Sequence, residues 1–255
     1  MRALLRFLNR LIDVTVALAL MTSGLYAGYA LWDGRSLITS AADVQADLLR
    51  MKPQANKEEG ASFEELRALN PDVCAWIALD GTAVDHPVLQ GETNLSYINT
   101  NVYGEFAMSG SIFMDVRCKR DFSGNYQLLY GHHMADHAMF GDLALYKDAA
   151  FMEENHTGTL LLPQGAYTLE IIACLLVPAS DDAIFEPMLW QTDNRDLLSQ
   201  IPKKAVQLRE DAFQALLQQE EAPRLLAMST CSYEFTDART VVVAVMQPTE
   251  AKNED

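Results

Sequence analysis

Residues 14–32 make the longest uncharged run of the chain, 19 positions. As a helix it would span roughly 28 Å at about 1.5 Å per residue. A bilayer core is about 30 Å thick, so the run predicts one membrane span. Leu11 and Ile12 extend it, and Tyr26, Tyr29 and Trp32 lie near its far end, where amphipathic rings favour the interface. Beyond it, Leu37, Ala41, Val44 and Leu48 recur at helical spacing and predict a helix over 36–50. Residues 51–61 are polar, contain Pro53 and Gly60, and read as a linker. Ser62-Phe63-Glu64-Glu65 is a capping-box pattern opening a short helix, which Asn70-Pro71 ends.

The pattern then changes to short apolar runs between turn residues. Strands are predicted over 74–79, 83–89, 111–115, 127–130, 159–162, 167–177, 225–230 and 240–246. Asp80-Gly81 reads as a hairpin turn, and Pro163-Gln164-Gly165 as another turn. Residues 94–99 suggest a helical turn and 139–154 a helix. Residues 193–221 suggest a second helical region interrupted at Pro202. Many short strands with two helical inserts predict a mainly β domain, a barrel or sandwich decorated by helices.

Composition alters this picture in three ways. A hydrophobic fraction of 49% suffices for a core. A net charge of −16 argues against nucleic acid, which demands a basic footprint. Four cysteines are too few for a disulfide scaffold. Arg2, Arg6 and Arg10 precede the apolar run and favour an N-terminus inside and the remainder outside. A retained anchor is the reading; the alternatives are a signal peptide cleaved near Gly28-Tyr29-Ala30 and a buried core helix. Without Arg2, Arg6, Arg10 and Asp13 the exported part holds 16 basic and 34 acidic residues, a charge of −18. Such a domain is repelled by anionic headgroups.

Chemistry concentrates at strand ends. Cys231 follows Ser229-Thr230 where an apolar strand stops, a position at which a thiol is accessible. Cys74 and Cys174 lie in apolar strands and read as small buried hydrophobes. Cys118 stands among Arg117, Lys119 and Arg120 and is left open. Arg239 begins the next strand, eight residues after Cys231, where a guanidinium could stabilise a thiolate or oxyanion. His132 follows Gly131 at another strand end and could supply the imidazole that a reactive thiol needs. Gly131 is read as letting the backbone turn there. The run 132–137, with His132, His133 and His137, is only superficially a metallo-hydrolase motif, because Met134 occupies a ligand position. His86 and His156 default to surface or turn roles. No phosphate-cradling loop and no dense carboxylate loop is present in the sequence, and neither a metal nor another cofactor is expected.

Together these residues resemble a sortase: Thr230-Cys231 at a strand end, Arg239 opening the next strand, and Gly131-His132. Further segments resemble class B sortases: Asn70-Pro71-Asp72-Val73 with Trp76-Ile77, Asp85-His86-Pro87-Val88, and Gly110-Ser111-Ile112-Phe113-Met114-Asp115. Tyr130-Gly131-His132-His133-Met134, Met139-Phe140-Gly141-Asp142-Leu143 and Ser229-Thr230-Cys231 continue the match over about residues 36–247. The three additional cysteines and the Cys–Arg spacing of eight depart from some members.

The resemblance implies a closed sortase-type β-barrel with N-terminal helices and a helical insert before the cysteine strand. It also implies a cysteine transpeptidase. Cys231 would attack a backbone carbonyl of a C-terminal sorting signal and form a thioester. His132 would protonate the leaving amine, and Arg239 would stabilise the oxyanion. Asn94, Ile98, Ser229 and Thr230 would line the substrate groove. A thioester retains the acyl activation of the cleaved peptide bond, so no nucleotide is needed outside the cell. The implied partners are a surface protein bearing the signal, the membrane through the N-terminal helix, and an amine acceptor, either a peptidoglycan precursor or a pilin lysine. The implied layout is a cytoplasmic segment 1–10, a transmembrane signal-anchor 11–32, a helix and linker 33–61, an extracellular catalytic domain 62–247 and a loose acidic tail 248–255. Other classes of reading are a non-catalytic anchored binding protein on the same barrel and a metallo-hydrolase at the histidine run.

Overall fold

The computed structural model describes residues 2–53 and 59–249. It falls into two compact units, Met1–Ser40 and Ala41–Asp255. The charged tail expected to be loose lies mostly outside the described residues. Helix α1 (Arg2–Leu49) runs unbroken through residues 33–36, where two separate helices were expected. A single Gly34 costs a helix only about 1 kcal/mol relative to alanine, too little to break it. Among the described residues α1 holds the one segment, Leu4–Leu49, long and apolar enough to cross a membrane. Leu20, Leu25, Tyr29 and Trp32 are all exposed within it, which removes the buried-core reading.

In the second unit, α2 (Glu59–Leu69) begins three residues before Ser62, so the expected capping box lies inside the helix. The strands are β1 (Val73–Leu79), β2 (Asp85–Leu89), β3 (Ile112–Met114), β4 (Tyr126–Tyr130), β5 (Thr157–Leu162), β6 (Gly165–Pro178), β7 (Ala205–Leu208), β8 (Leu225–Cys231) and β9 (Ala238–Pro248). They pair in the order β5-β1-β2-β3-β4-β8-β9-β6, and β5 pairs back onto β6. The sheet is therefore a closed eight-stranded mixed barrel, not a sandwich. Closure leaves no edge among these eight strands. Strand β7 extends the sheet along the second half of β6.

Strand β1 is buried on both faces, and two clusters explain why. Ala75, Ile77 and Leu79 join the barrel interior. Trp76 and Val73 point the other way and meet Leu48, Phe63 and Leu66. The ends of α1 and α2 thus cover one outer wall of the barrel, and a strand covered on both sides reads as a continuous apolar run. Buried Asn70 closes α2, donating to the Tyr97 hydroxyl at 3.0 Å and the Val102 carbonyl at 2.9 Å.

The inserts depart from expectation. The 139–154 region is a 3-10 helix (Gly141–Lys147) followed by α3 (Ala149–Glu154), because the Asp148 side chain caps α3 by accepting from the Phe151 N–H. After β6 come α4 (Asp182–Phe185) and a 3-10 turn (Pro187–Trp190), neither anticipated. Pro202 does not interrupt the next helix, α5 (Arg195–Lys204), which buries Leu197, Leu198 and Ile201 around it. The break comes at β7, stabilised by pairing with β6, before α6 (Glu210–Leu217).

His86 is not at the surface. It lies in β2, paired with Ile77, and its Nε2 has no hydrogen-bond partner among the described residues. Burial, opposed by the nearby Asp85 charge, pushes its pKa down to about 4 from an unfolded value near 6.5. The folded state therefore keeps His86 neutral while the unfolded chain takes up a proton below pH 6.5. This contribution to stability is present above pH 6.5 and disappears as pH falls towards 4. His86→Leu should remove roughly 3 kcal/mol of the acid destabilisation, read as the difference between urea unfolding at pH 7 and pH 4 in parent and variant. An identical pH dependence in both proteins would refute it.

Candidate active site

Strands β4 and β8 are parallel neighbours in the register Tyr130↔Ser229. Both chains leave the barrel at the same end, His132 two residues beyond Tyr130 and Cys231 two beyond Ser229. Strand β9 returns antiparallel and sets Arg239 directly opposite Cys231. All three side chains line one cleft of about 420 Å³, and Asn94, Ile98, Ser229 and Thr230 line it with them. Its other walls include Phe113, Tyr130, Phe185 and Arg117, to which the sequence pattern had assigned no role.

Gly131 serves a purpose other than the turn expected of it, since it is not among the residues with positive φ. A Cβ there would meet Ile112 Cδ1 at 2.5 Å and the Phe140 ring at 2.7 Å. Close packing, not backbone freedom, excludes a side chain. His132 Nε2 lies 2.8 Å from the Ile98 carbonyl oxygen. A carbonyl can only accept, so Nε2 carries the proton and Nδ1 is the basic atom of the neutral ring.

Among the described residues the guanidinium of Arg239 donates only to the neighbouring Ala238 carbonyl, at 3.1 Å. Among the described residues it has no carboxylate partner, and its remaining N–H groups are available to a ligand. The loop 232–237 that separates it from Cys231 is tied down. Lys147 Nζ donates to the Ser232 hydroxyl at 2.9 Å and pairs with Glu234. Hydrogen bonds from Lys147 and Ser232 hold the Glu234 carboxyl at about 2. The Ser232 N–H donates to the Ala238 carbonyl at 2.9 Å, closing the hairpin. The eight-residue spacing suffices because the β8–β9 hairpin pairs Cys231 directly with Arg239.

All four cysteines are free, and only Cys231 is partly exposed. Burial pushes the Cys74, Cys118 and Cys174 thiols up to about 12, where the nucleophilic thiolate is negligible at neutral pH. Cys118, left open by the sequence, thus joins the inert set. Ser229 Oγ and Thr230 Oγ1 are buried and without hydrogen-bond partners among the described residues.

The histidine run does not gather at one point. His137 Nδ1 meets Asp142 Oδ1 at 2.6 Å, which raises the His137 pKa, and His133 packs edge-on against Tyr233. Among the described residues no group of three His, Cys, Asp or Glu side chains could hold a metal ion.

Comparison with known proteins gives consistent matches. The chain is 33% identical over 184 residues to sortase B of Staphylococcus aureus, covering 71% of this chain and 73% of that protein. It is 27% identical over 230 residues to sortase B of Listeria monocytogenes, covering 89% and 91%. Among solved structures, a Streptococcus pyogenes class B sortase involved in pilus biogenesis superimposes with a TM-score of 0.65 and 35% identity, over 74% of this chain and 99% of that one. A Staphylococcus aureus sortase B–substrate complex gives a TM-score of 0.66 and 27% identity, over 85% and 96%. No protein-family model matches the chain.

Proposed function

The chain belongs to the class B sortases, cysteine transpeptidases that act on a sorting signal, and on that premise we propose a reaction cycle carried by Cys231, His132 and Arg239. Cys231 Sγ, as thiolate, adds to a backbone carbonyl carbon of the sorting signal. Arg239 stabilises the oxyanion that forms. His132, as imidazolium, gives the Nδ1 proton to the leaving amine as the C–N bond breaks, and a thioester to Cys231 remains. An incoming amine adds to the thioester, neutral His132 takes its proton at Nδ1, and the C–S bond breaks to release the new amide and restore the thiolate. Asn94, Ile98, Ser229 and Thr230 contact the peptide. The observation that carries this reading is the opposition of Cys231 and Arg239 across β8 and β9 with His132 at the end of the parallel neighbour, all in one cleft.

The protein is a single-pass, membrane-anchored enzyme. Its N-terminus lies inside and its catalytic domain outside, in accord with Arg2, Arg6 and Arg10 before the span. The acceptor is an amine of the cell wall. A second reading, a pilin lysine as acceptor, draws on the 35% identity to the class B sortase involved in pilus biogenesis.

The test is to incubate the detergent-solubilised chain with a panel of sorting-motif peptides and either triglycine or Nα-acetyl-lysine. An acyl adduct on Cys231 and a peptide–triglycine product are expected; product with the lysine derivative alone selects the second reading. No adduct with any peptide overturns both. Arg239→Met should lower kcat by about 10²–10³-fold, the usual loss for an oxyanion donor, while leaving peptide binding by equilibrium dialysis within about 3-fold.

A further inference from the structure

A second arginine borders the cleft, engaged in the opposite way to Arg239. Arg117 lies three residues beyond β3. Its Nε and Nη2 donate to the two oxygens of Asp115 at 2.9 and 2.8 Å. Its Nη1 donates to both Glu186 oxygens at 2.8 and 2.7 Å, and Nη2 also to the Phe185 carbonyl at 2.8 Å. A guanidinium has five N–H groups, and all are in use, so none is left for a substrate.

The centre of this cluster is Asp115, whose side chain is fully buried. It also accepts from Asn94 Nδ2 at 2.9 Å and the Tyr130 hydroxyl at 3.0 Å. Asn94 in turn accepts from the Val116 N–H at 2.8 Å, and the Tyr130 ring stacks on Phe185. Burial alone would raise the Asp115 carboxyl; the hydrogen bonds from Arg117 and Tyr130 outweigh it and hold the carboxyl below its usual value. Thus Asn94 from the loop after β2, Tyr130 from β4 and Phe185 from the insert after β6, three separate parts of the cleft wall, hang on one ion-pair network.

We propose that Arg117 is a positioning residue that sets the shape of the peptide cleft by clamping the Phe185–Glu186 corner to Asp115, and with it Asn94 and Tyr130. The proposal rests on the reading of the cleft as the sorting-signal site. The clamp touches none of Cys231, His132 and Arg239, so it governs binding and not the reactivity of the thiol. The insert has other fastenings: the Tyr126 hydroxyl donates to the Ile184 carbonyl at 2.9 Å, and Lys204 pairs with Asp181. Loss of the clamp therefore loosens one corner and leaves the insert folded.

Two variants of the full chain test this, Arg117→Met and the milder Glu186→Gln. With the panel peptide that acylates the parent fastest, KM should rise about 10–100-fold in the first and 3–10-fold in the second, with kcat within about 3-fold. Alkylation of Cys231 by iodoacetamide should stay within 2-fold of the parent. Hydrogen exchange should quicken at residues 182–190 and stay unchanged in β8. An unchanged KM, a fall in kcat at constant KM, or unchanged exchange at 182–190 overturns the proposal. Should Arg117→Met fail to fold, Glu186→Gln decides by the same readouts. Should no peptide acylate the parent, the reaction reading fails, while exchange still decides the clamp.

Discussion

Cys231→Ala should abolish both the acyl-enzyme and the transpeptidation product, a loss of at least about 10⁴-fold in turnover. Every bond change in the cycle passes through a thioester, and alanine offers no lone pair to form one. None of the remaining thiols can substitute: Cys74, Cys118 and Cys174 are buried, and burial holds their pKa values near 12. The variant should keep the fold, because Cys231 is the last residue of β8, only partly buried, and in no disulfide. Intact mass after incubation with peptide checks the adduct, and chromatography with triglycine checks the product. Turnover within about 10-fold of the parent would refute the assignment.

His132→Ala should lower kcat/KM by about 10²–10⁴-fold, the range of a general acid–base group. Its pH profile separates this role from a structural one. The cycle needs thiolate and imidazolium together, so the parent rate should fall towards both pH extremes, giving a bell. Without His132 the falling alkaline limb should vanish, and the residual rate should climb with the thiolate alone. A bell retained in the variant would refute the acid–base role. The bond from Nε2 to the Ile98 carbonyl matters here, since it leaves Nδ1 to move the proton. Iodoacetamide reacts without needing a general acid, so alkylation of Cys231 should fall much less than transpeptidation.

Much of the candidate site was legible before any fold was known. Cys231 and Arg239 sit on adjacent strands joined by a short hairpin, and hairpin pairing is local. Gly131-His132 at a strand end was visible too, although the reason for Gly131 was not, because the crowding atoms of Ile112 and Phe140 lie on other elements. The cleft's far wall was not legible. Arg117 looked like one basic residue among three near Cys118, and its saturation depends on Glu186, 69 positions away. Strand β7 was hidden in a helical stretch because its pairing with β6 overrides local propensity. His86 was misjudged for the same reason: nothing in its neighbours records the packing that buries it.

Whatever depends on near neighbours could be read from the residues alone. The apolar run is long enough for a bilayer, the strands alternate with turn residues, and Cys231, His132 and Arg239 lie at or just beyond strand ends. These follow from helix rise, side-chain periodicity and hairpin closure, which act over a few residues. The tertiary structure alone decided which strand end meets which. His132 and Cys231 are 99 positions apart, and they share a cleft because β4 pairs in parallel with β8 in one register. Burial and partner choice are properties of pairs distant in the chain, and a local pattern of apolar and polar positions specifies a buried face without naming the residues that cover it.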